Sequence, residues 1–289
     1  AYRMLVATTD LIDRTGERTI QQQEKRSSFF RLNDLRAAAV DWPSSPQALR
    51  PAKPRKPARP RKHQTEAIRD VVKGFTASDR GQLIMACGTG KTLAALFITE
   101  KLESKRTLVL VPSLSLLKQT LNEWRANCTT EFASMPVCSD DTVGNDDAAV
   151  SHTSDLNVPA ETDPEKIAAF LRRKSGPLVV FSTYQSSPQI AEAFRLGRVP
   201  GFDFIIADEA HRCAGPVSSD FATVLDPQAI RGTRRLFMTA TPRYFTGRVI
   251  KAAKDADYEI ASMDDEKKFG PVFHRLPFGE AIERDLLTD

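Results

Sequence analysis

A glycine-rich turn between an apolar segment and a helical pattern constrains this chain more than any other feature of its sequence. The turn, Gly88-Thr89-Gly90-Lys91-Thr92, follows the apolar stretch 82–86 and precedes a helical pattern over 91–103. Glycines let the backbone turn so that successive N–H groups and the helix N-terminus point at phosphate oxygens. Between a strand and a helix, this motif predicts a loop that binds the phosphates of a nucleotide.

The side chains of the loop indicate how the phosphates are held. Lys91 is placed to reach the β- and γ-phosphates, and the Thr92 hydroxyl is placed to ligate Mg²⁺. Met85 stands where a loop of this kind usually has a first Gly or Ala, and Cys87 is interpreted as a small filler rather than a reactive thiol. We therefore predict a nucleoside triphosphate and Mg²⁺ as ligands.

Two adjacent carboxylates, Asp208 and Glu209, end a second apolar stretch, which covers 202–207. Open α/β sheets bind ligands at the carboxyl ends of their strands, so both acids are expected at the same rim as the loop. Asp208 is predicted to hold Mg²⁺ through water, and Glu209 to orient and deprotonate an attacking water. Lys91, Asp208 and Glu209 are thus the predicted catalytic residues for hydrolysis at the γ-phosphate.

From residue 63 onward, short apolar stretches alternate with helical patterns. This alternation predicts an α/β fold with a doubly wound parallel sheet whose two faces are covered by helices. The predicted strands are 82–86, 107–111, 178–182, 202–207 and 235–239. The predicted helices are 63–76, 91–103, 113–127, 164–174 and 187–195.

The first 62 residues divide into two regions. Residues 1–50 show a strand over 3–9, a polar helix over 11–24, a strand over 28–32 and a helix over 33–40, which together are too few to bury a core. We interpret this small α/β fragment as the C-terminal piece of an upstream domain in a longer polypeptide. Residues 51–62 place a proline at every third position and carry only basic charges, which is typical of a polyproline II linker. A solvated linker is the simpler interpretation, and contact with a phosphate backbone is the alternative.

The net charge of +4 hides segments of opposite sign. Seven bases and no acid lie in 50–62, whereas eight acids and neither Lys nor Arg lie in 139–165, which we interpret as an acidic loop insert. No apolar run is long enough to span a membrane, so no membrane partner is expected. The four cysteines are scattered and form no C-x-x-C pair, so the sequence supports neither a zinc site nor a disulfide framework. These features are typical of a cytoplasmic protein with reduced thiols.

Six short motifs, taken in order, resemble those of the first RecA-like lobe of the superfamily-two (DEAD/DEAH-box) helicases and translocases. They occupy roughly 63–245. The motifs are Gln64, the loop ending Gly90-Lys91-Thr92, Val111-Pro112-Ser113 with Gln119, Phe181-Ser182-Thr183-Tyr184-Gln185, Asp208-Glu209-Ala210-His211 and Thr239-Ala240-Thr241. The resemblance implies a RecA-like P-loop NTPase fold that binds ATP.

The resemblance also implies roles for individual residues. Gln64 would recognise adenine through its amide, beside an ATP-binding loop made of Cys87, Gly88, Thr89, Gly90, Lys91 and Thr92. His211 and the turn Thr239, Ala240 and Thr241 would couple the ATP site to a nucleic-acid groove. The nucleic-acid phosphates would be held by Ser113, Ser182 and Thr183.

A narrower resemblance is to the single-chain type ISP restriction–modification enzymes and related predicted helicases. It is carried by Met-Ala-Cys-Gly-Thr-Gly-Lys-Thr, Phe-Ser-Thr-Tyr-Gln-Ser, Asp-Glu-Ala-His-Arg and the tail from Ser262 to Ile282. In that group a nuclease precedes the motor, so 1–50 would be the end of an Mrr-like nuclease domain. Residues 63–262 would form the ATP-binding lobe, and 263–289 an exit segment toward a second RecA-like lobe. Gln23-Glu24-Lys25 resembles a nuclease motif, but it lies in a polar helix and is expected to be non-catalytic.

The resulting expectation is the ATP-hydrolysing lobe of a DNA translocase that acts on duplex DNA. A second lobe of the same polypeptide would supply an arginine to the γ-phosphate, so this chain alone should bind ATP weakly and hydrolyse it barely, with or without DNA. Two alternatives stay open from the sequence. One is an RNA-dependent helicase, and the other is a nucleotide-gated binding module with little hydrolysis.

Overall fold

The computed structural model of the protein describes residues 3–11, 16, 19, 27–37, 43–48, 56–139, 156, 158–217, 219–256 and 258–288. Four sequence predictions therefore fall mainly or wholly outside the described residues. They are the polar helix over 11–24, the Gln23-Glu24-Lys25 motif it contains, the first part of the proline-rich linker and most of the acidic insert.

A seven-stranded parallel sheet forms the centre of the fold. Its strands are β3 (Arg80–Met85), β4 (Arg106–Val111), β5 (Ala133–Val137), β6 (Leu178–Thr183), β7 (Phe202–Ala207), β9 (Gly232–Thr239) and β11 (Val272–Leu276). Their order across the sheet is β11-β3-β9-β7-β4-β6-β5. Because all seven are parallel, their carboxyl ends meet at one rim, and the predicted doubly wound fold is confirmed.

Helices cover both faces of this sheet. On one face, α2 (Lys62–Gly74), α3 (Lys91–Lys101) and α4 (Leu114–Asn127) share a core with the strands. On the other face lie α5 (Pro164–Leu171) and α6 (Ser187–Arg195). Adjacent strand residues point to opposite cores, so Leu108 packs toward α5 and α6, whereas Val109 packs toward α2, α3 and α4. This burial on two sides explains why the central strands are apolar throughout.

Local capping signals set two helix starts where the sequence predicts them. The Asp163 carboxylate accepts the Glu165 N–H at 2.9 Å, and Pro164 is the first residue of α5. The Ser113 hydroxyl accepts the Leu116 N–H at 3.3 Å and caps α4. The predicted bounds of β7 and α6 match the structure at both ends.

The sequence does not predict either edge strand of the sheet, β5 or β11. Strand β5 contains Pro136, and β11 contains His274 and Arg275, so neither has the continuous apolar pattern of a central strand. Strand β11 belongs to the segment 263–289 and pairs with β3 in parallel, Leu276 lying opposite Met85. That segment thus adds a strand to the sheet of this lobe, and its role as an exit toward a second lobe stays a prediction.

Shorter elements complete the described chain. Strand β8 (Gly215–Pro216) pairs antiparallel with β10 (Ile260–Ala261). Helices α7 (Gly247–Asp255), α8 (Glu266–Phe269) and α9 (Phe278–Glu283) follow β9. None of the helices in the described part of the chain is both long and apolar enough to cross a membrane.

The N-terminal fragment has its own small sheet. Strand β1 (Arg3–Val6) pairs in parallel with β2 (Ser27–Phe30), and α1 (Leu32–Ala37) follows. Asp34 of α1 forms an ion pair with Lys118 of α4 at 2.9 Å. The linker is held nearby, because the Ala58 N–H donates to the Asn127 side-chain oxygen at 3.0 Å.

Candidate nucleotide-binding and hydrolysis site

The phosphate loop lies between β3 and α3, as the sequence predicts. Gly88 and Gly90 have φ values of +80° and +82°, in the left-handed region that glycine adopts without strain. Gly90 precedes the first turn of α3, and Lys91 is the first residue of that helix. The buried Lys91 ammonium donates to the Met85 carbonyl at 3.3 Å, so it lies folded over the loop rather than in solvent.

Helix α2 braces the loop through two side chains. The Gln64 amide donates to the Gly90 carbonyl at 3.0 Å and accepts the Arg61 N–H at 2.9 Å. The His63 ring nitrogen Nε2 lies 2.8 Å from the Thr89 carbonyl oxygen. Both side chains are buried, so α2 fixes two successive carbonyls of the loop. The predicted contact between Gln64 and adenine stays a prediction.

The two acids follow β7 at the same rim of the sheet as the loop, since only β9 separates β7 from β3. The Asp208 N–H donates to the Leu110 carbonyl at 2.9 Å, which extends the sheet by one bond. Glu209 has a φ of +49°, a left-handed conformation that a non-glycine residue adopts rarely. This turn directs the chain into a short 3₁₀ helix, Ala210–Cys213.

The electrostatics of Asp208 show that it belongs to the loop's surroundings. Burial, and after it the negative charge of Glu209, raise the pKa of Asp208 to about 6. The positive charge of Lys91 acts in the opposite direction and lowers the pKa of Asp208. Burial destabilises the ionised form of this carboxyl, and a cation bound beside it would stabilise that form.

The donor atoms at this rim suit Mg²⁺. Asp208 offers carboxylate oxygens and Thr92 a hydroxyl, and hard divalent cations prefer oxygen ligands. Within the described residues, no cluster of three or more His, Cys, Asp or Glu side chains could hold a metal ion. Magnesium is commonly bound by one or two protein groups together with substrate phosphates, and these side chains fit that mode.

A series of polar contacts connects Glu209 to the Thr239–Thr241 turn. His211 Nδ1 lies 3.0 Å from the Thr239 hydroxyl and 3.4 Å from a Glu209 carboxylate oxygen. The Thr241 N–H donates to the same Thr239 hydroxyl at 3.1 Å. The predicted coupling residues His211, Thr239 and Thr241 are therefore brought together, and Ala240 lies between the two threonines. Their role in coupling stays a prediction.

Comparison with known proteins places the chain in a family. Residues 58–244 match the family described as "Type III restriction enzyme, res subunit". The chain belongs to this family. The matched range contains every phosphate-loop residue, both acids and the Thr239–Thr241 turn.

Individual proteins similar to this chain include helicases and restriction enzymes. A probable helicase of African swine fever virus (isolate Pretoriuskop) is 33% identical over 231 residues, covering 79% of this chain and 23% of the viral protein. The ATP-dependent type ISP restriction–modification enzyme LlaBIII, whose structure is solved bound to DNA, has 38% sequence identity to this chain. The two structures superpose with a TM-score of 0.83 over 99% of this chain and 19% of LlaBIII. A nuclease-deletion mutant of the type ISP enzyme LlaGI, in complex with a DNA substrate mimic, is also 38% identical, with a TM-score of 0.61, over 79% of this chain and 21% of that one.

These similarities confirm the predicted resemblance to a superfamily-two helicase lobe close to the type ISP enzymes. The chain spans less than a quarter of the length of these relatives.

The residues predicted to hold nucleic acid differ in accessibility. Ser113 is half-buried, and its hydroxyl caps α4. Ser182 and Thr183 are fully buried at the end of β6. The Ser182 hydroxyl donates to the Thr183 carbonyl at 2.9 Å, and the Thr183 hydroxyl donates to the Ser186 hydroxyl at 3.1 Å. Hydroxyl contacts from Ser182 and Thr183 to phosphates stay a prediction, which requires that these internal bonds be exchanged.

Tyr184 belongs to the motif at the end of β6, and the sequence predicts no role for it in the site. The fully buried Tyr184 hydroxyl donates to the Asp208 carbonyl at 2.7 Å. Its ring stacks on Phe221, with ring centroids 5.2 Å apart. The sequence places an aromatic residue just after a strand, but nothing local indicates that its hydroxyl reaches the acids of another strand.

Proposed function

We propose that this chain is the ATP-binding and ATP-hydrolysing lobe of a DNA-dependent translocase. The observation that carries the proposal is the juxtaposition at one sheet rim of the phosphate loop with Asp208 and Glu209. Lys91 is near enough to Asp208 for its charge to lower the pKa of that carboxyl. The intact protein would be the motor of a restriction–modification enzyme or of a related DNA-processing enzyme.

The residues present can carry out each part of the hydrolysis. The loop N–H groups and Lys91 would bind the β- and γ-phosphates, and stabilise the charge that spreads over the γ-phosphoryl oxygens. Glu209 would orient a water and take its proton as the water oxygen bonds to the γ-phosphorus and the bond to the bridging oxygen breaks. Thr92 and Asp208 would hold Mg²⁺, which when bound neutralises negative charge on the phosphate oxygens. The products are ADP and inorganic phosphate.

Two observations support coupling of ATP hydrolysis to DNA: the similar type ISP enzymes and the polar contacts that begin at Glu209. Both type ISP relatives are described in complex with DNA or a DNA mimic. Contacts of His211 with Glu209 and Thr239 connect the hydrolytic acid to the end of the neighbouring strand, β9. We propose duplex DNA as the partner, and a second RecA-like lobe of the same polypeptide as the element that responds to hydrolysis.

The test separates binding from turnover. The 289-residue chain is titrated with ATP and Mg²⁺ by calorimetry, and ATP turnover is measured in the longer polypeptide with and without duplex DNA. We expect Lys91→Ala to abolish binding and turnover, because the phosphates lose their positive partner. Glu209→Gln should abolish turnover and leave binding intact. Lys101→Ala and Glu165→Gln, on exposed parts of α3 and α5, are the matched controls.

Three results would contradict the proposal. Strong DNA-stimulated turnover by the 289-residue chain alone would remove the need for a second lobe. Stimulation by RNA but not by duplex DNA would favour an RNA-dependent helicase. Absence of phosphate release from the longer polypeptide, with ATP binding intact, would favour a nucleotide-gated binding module.

A further inference from the structure

An open cavity of about 460 Å³ lies at the edge of the sheet, and the proposed hydrolysis does not use it. Its walls come from β3, from the segment around α8 and from the start of β11. Gln82 of β3 lines it and lies opposite Phe237 of β9, whose side chain belongs to the core on the α5 and α6 side of the sheet. The cavity is therefore on the face of β3 that α2 does not cover, whereas the phosphate loop follows the last residue of that strand.

A buried amide, that of Gln82, lines this cavity. The side chain is 2% exposed, and its Nε2 donates to the carbonyls of Met263 and Gly270, both at 2.8 Å. These two bonds use both amide hydrogens and so fix the orientation of the amide. Its Oε1 has no hydrogen-bond donor within the described residues. A buried acceptor without a donor is costly, so a ligand that donates to this oxygen would be stabilised there.

The charged side chains that line the cavity are both acids. Asp264 and Glu266 are exposed carboxylates, and neither forms an ion pair with another described residue. No lysine, arginine or histidine from the described part of the chain lines the cavity. The nearby Lys268 is paired with Glu259 instead. The cavity thus offers hydrogen-bond acceptors and negative charge, which together favour a cationic donor.

An aromatic ring and apolar side chains complete the lining. Tyr244 is 50% exposed, and Val272 and Pro271 lie on the same cavity wall as the acids. The Tyr244 hydroxyl accepts a hydrogen bond of 3.4 Å from Arg275, which does not itself line the cavity. A guanidinium stacks its plane on an aromatic ring while its N–H groups donate to carboxylates, whereas an ammonium is a compact point charge that cannot stack. The lining therefore suits an arginine side chain better than a lysine side chain.

We propose that this cavity binds an arginine side chain, which donates to Gln82 Oε1 and to the carboxylates of Asp264 and Glu266, and stacks on Tyr244. The arginine is supplied by another domain of the longer polypeptide. The chain spans less than a quarter of the length of its relatives, so most of such a polypeptide lies outside this lobe and is available to supply it. The acidic lining repels the phosphates of DNA, which makes this face a contact for protein. The inference does not depend on hydrolysis of ATP by this chain.

The first test compares three small ligands with the same blocked backbone. They are N-acetyl-arginine methylamide and its lysine and citrulline analogues, of which citrulline keeps the shape of arginine and lacks the charge. Each is titrated into the ¹⁵N-labelled 289-residue chain, and NMR follows the backbone amides of 263–272 and the side-chain amide of Gln82. We expect the arginine compound to bind about tenfold more tightly than the citrulline compound, and the lysine compound to lie between them. Equal affinity for all three, or no binding of the arginine compound, would overturn the inference.

Two variants test the lining without removing the buried amide. Glu266→Gln and Tyr244→Leu change exposed side chains, so the fold should be retained. Each should weaken binding of the arginine compound about threefold, and Glu266→Gln should leave the citrulline compound unaffected. Glu283→Gln and Tyr258→Leu, which change an exposed acid and an exposed tyrosine outside this cavity, are the matched controls. Unchanged arginine affinity in both variants would refute the proposed contacts.

The second test identifies the source of the arginine in the longer polypeptide. The photoreactive residue benzoylphenylalanine replaces Val272, an exposed residue of the cavity wall, and cross-linked peptides are identified by mass spectrometry. We expect a cross-link within one polypeptide, to a segment of another domain that contains an arginine. A cross-link between two copies of the polypeptide, or none at all, would overturn the assignment to another domain. ATP turnover, measured on the same sample, reports separately on the proposed function.

Discussion

The Tyr184 hydroxyl ties the end of β6 to the Asp208 carbonyl through a 2.7 Å hydrogen bond. Burial raises the pKa of Tyr184 well above its usual range, so the phenol stays a neutral donor. The bond spans β4, which lies between β6 and β7 in the sheet. The position of the acid pair is thus fixed partly by a residue from two strands away.

Tyr184→Phe tests this positioning role. The substitution keeps the stacking on Phe221 and removes only the hydrogen bond, so stability should fall by about 1 kcal/mol. In the longer polypeptide we expect kcat for ATP hydrolysis to fall several-fold, because the backbone that carries Glu209 loses a fixed point. The affinity for ATP, which depends on the phosphate loop, should not change. Tyr258→Phe, at an exposed tyrosine, is the control, and unchanged kcat in Tyr184→Phe would refute the role.

His211 is predicted to transmit the state of the ATP site to Thr239. Because the imidazole bridges Glu209 and the Thr239 hydroxyl, His211→Ala should lower the stimulation of ATPase activity by DNA and preserve ATP binding. Thr239→Val should reproduce the defect, since it removes the hydroxyl at nearly constant volume. Thr239→Ser keeps the hydroxyl and should retain stimulation. Full stimulation in Thr239→Val would show that this contact carries no coupling.

Gly90→Ala should abolish ATP binding by the 289-residue chain. The alanine would be strained at a φ of +82°, and its Cβ would lie 2.5 Å from Gln64 Nε2, so the brace from α2 would be displaced. Gly176→Ala is a matched control, because Gly176 also has a positive φ, +68°, but nothing lies within 4 Å of the added Cβ. That control should lose about 1 kcal/mol of stability and keep full ATP affinity, as calorimetry and thermal unfolding would show.

The part of the site that could be predicted from sequence is the part encoded by short contiguous motifs. The phosphate loop and the acids each follow an apolar strand, and parallel strands bring such turns to one rim. The sequence therefore predicts that Lys91 and Asp208 lie at the same rim of the sheet, although many residues separate them.

What escaped prediction depends on contacts between distant segments. Strand β11 becomes recognisable as a strand only when it lies beside β3. The ion pair between Arg284 and Glu66 forms only because the segment after α9 lies against α2. Arg235 is another example, because an arginine is expected at the surface, yet this one is 1% exposed. It is satisfied by the carbonyls of Val224, Ile230 and Gly232, which no local pattern indicates.

Asp208→Asn should stabilise the nucleotide-free chain at neutral pH and leave its stability unchanged in acid. Burial raises the pKa of Asp208 from 3.8 to about 6, so the folded state holds this proton more tightly than the unfolded state does. The cost of ionising the buried carboxyl is absent below pH 3.8, develops as the pH rises, and is complete above about 6. Urea unfolding at about pH 7.5 should therefore show a gain of about 2–3 kcal/mol for Asp208→Asn, and at about pH 3.5 almost none. Asp255→Asn, at an exposed position, controls for the change in net charge. An equal gain at both pH values would mean that the effect arises from packing and not from the ionisation of Asp208.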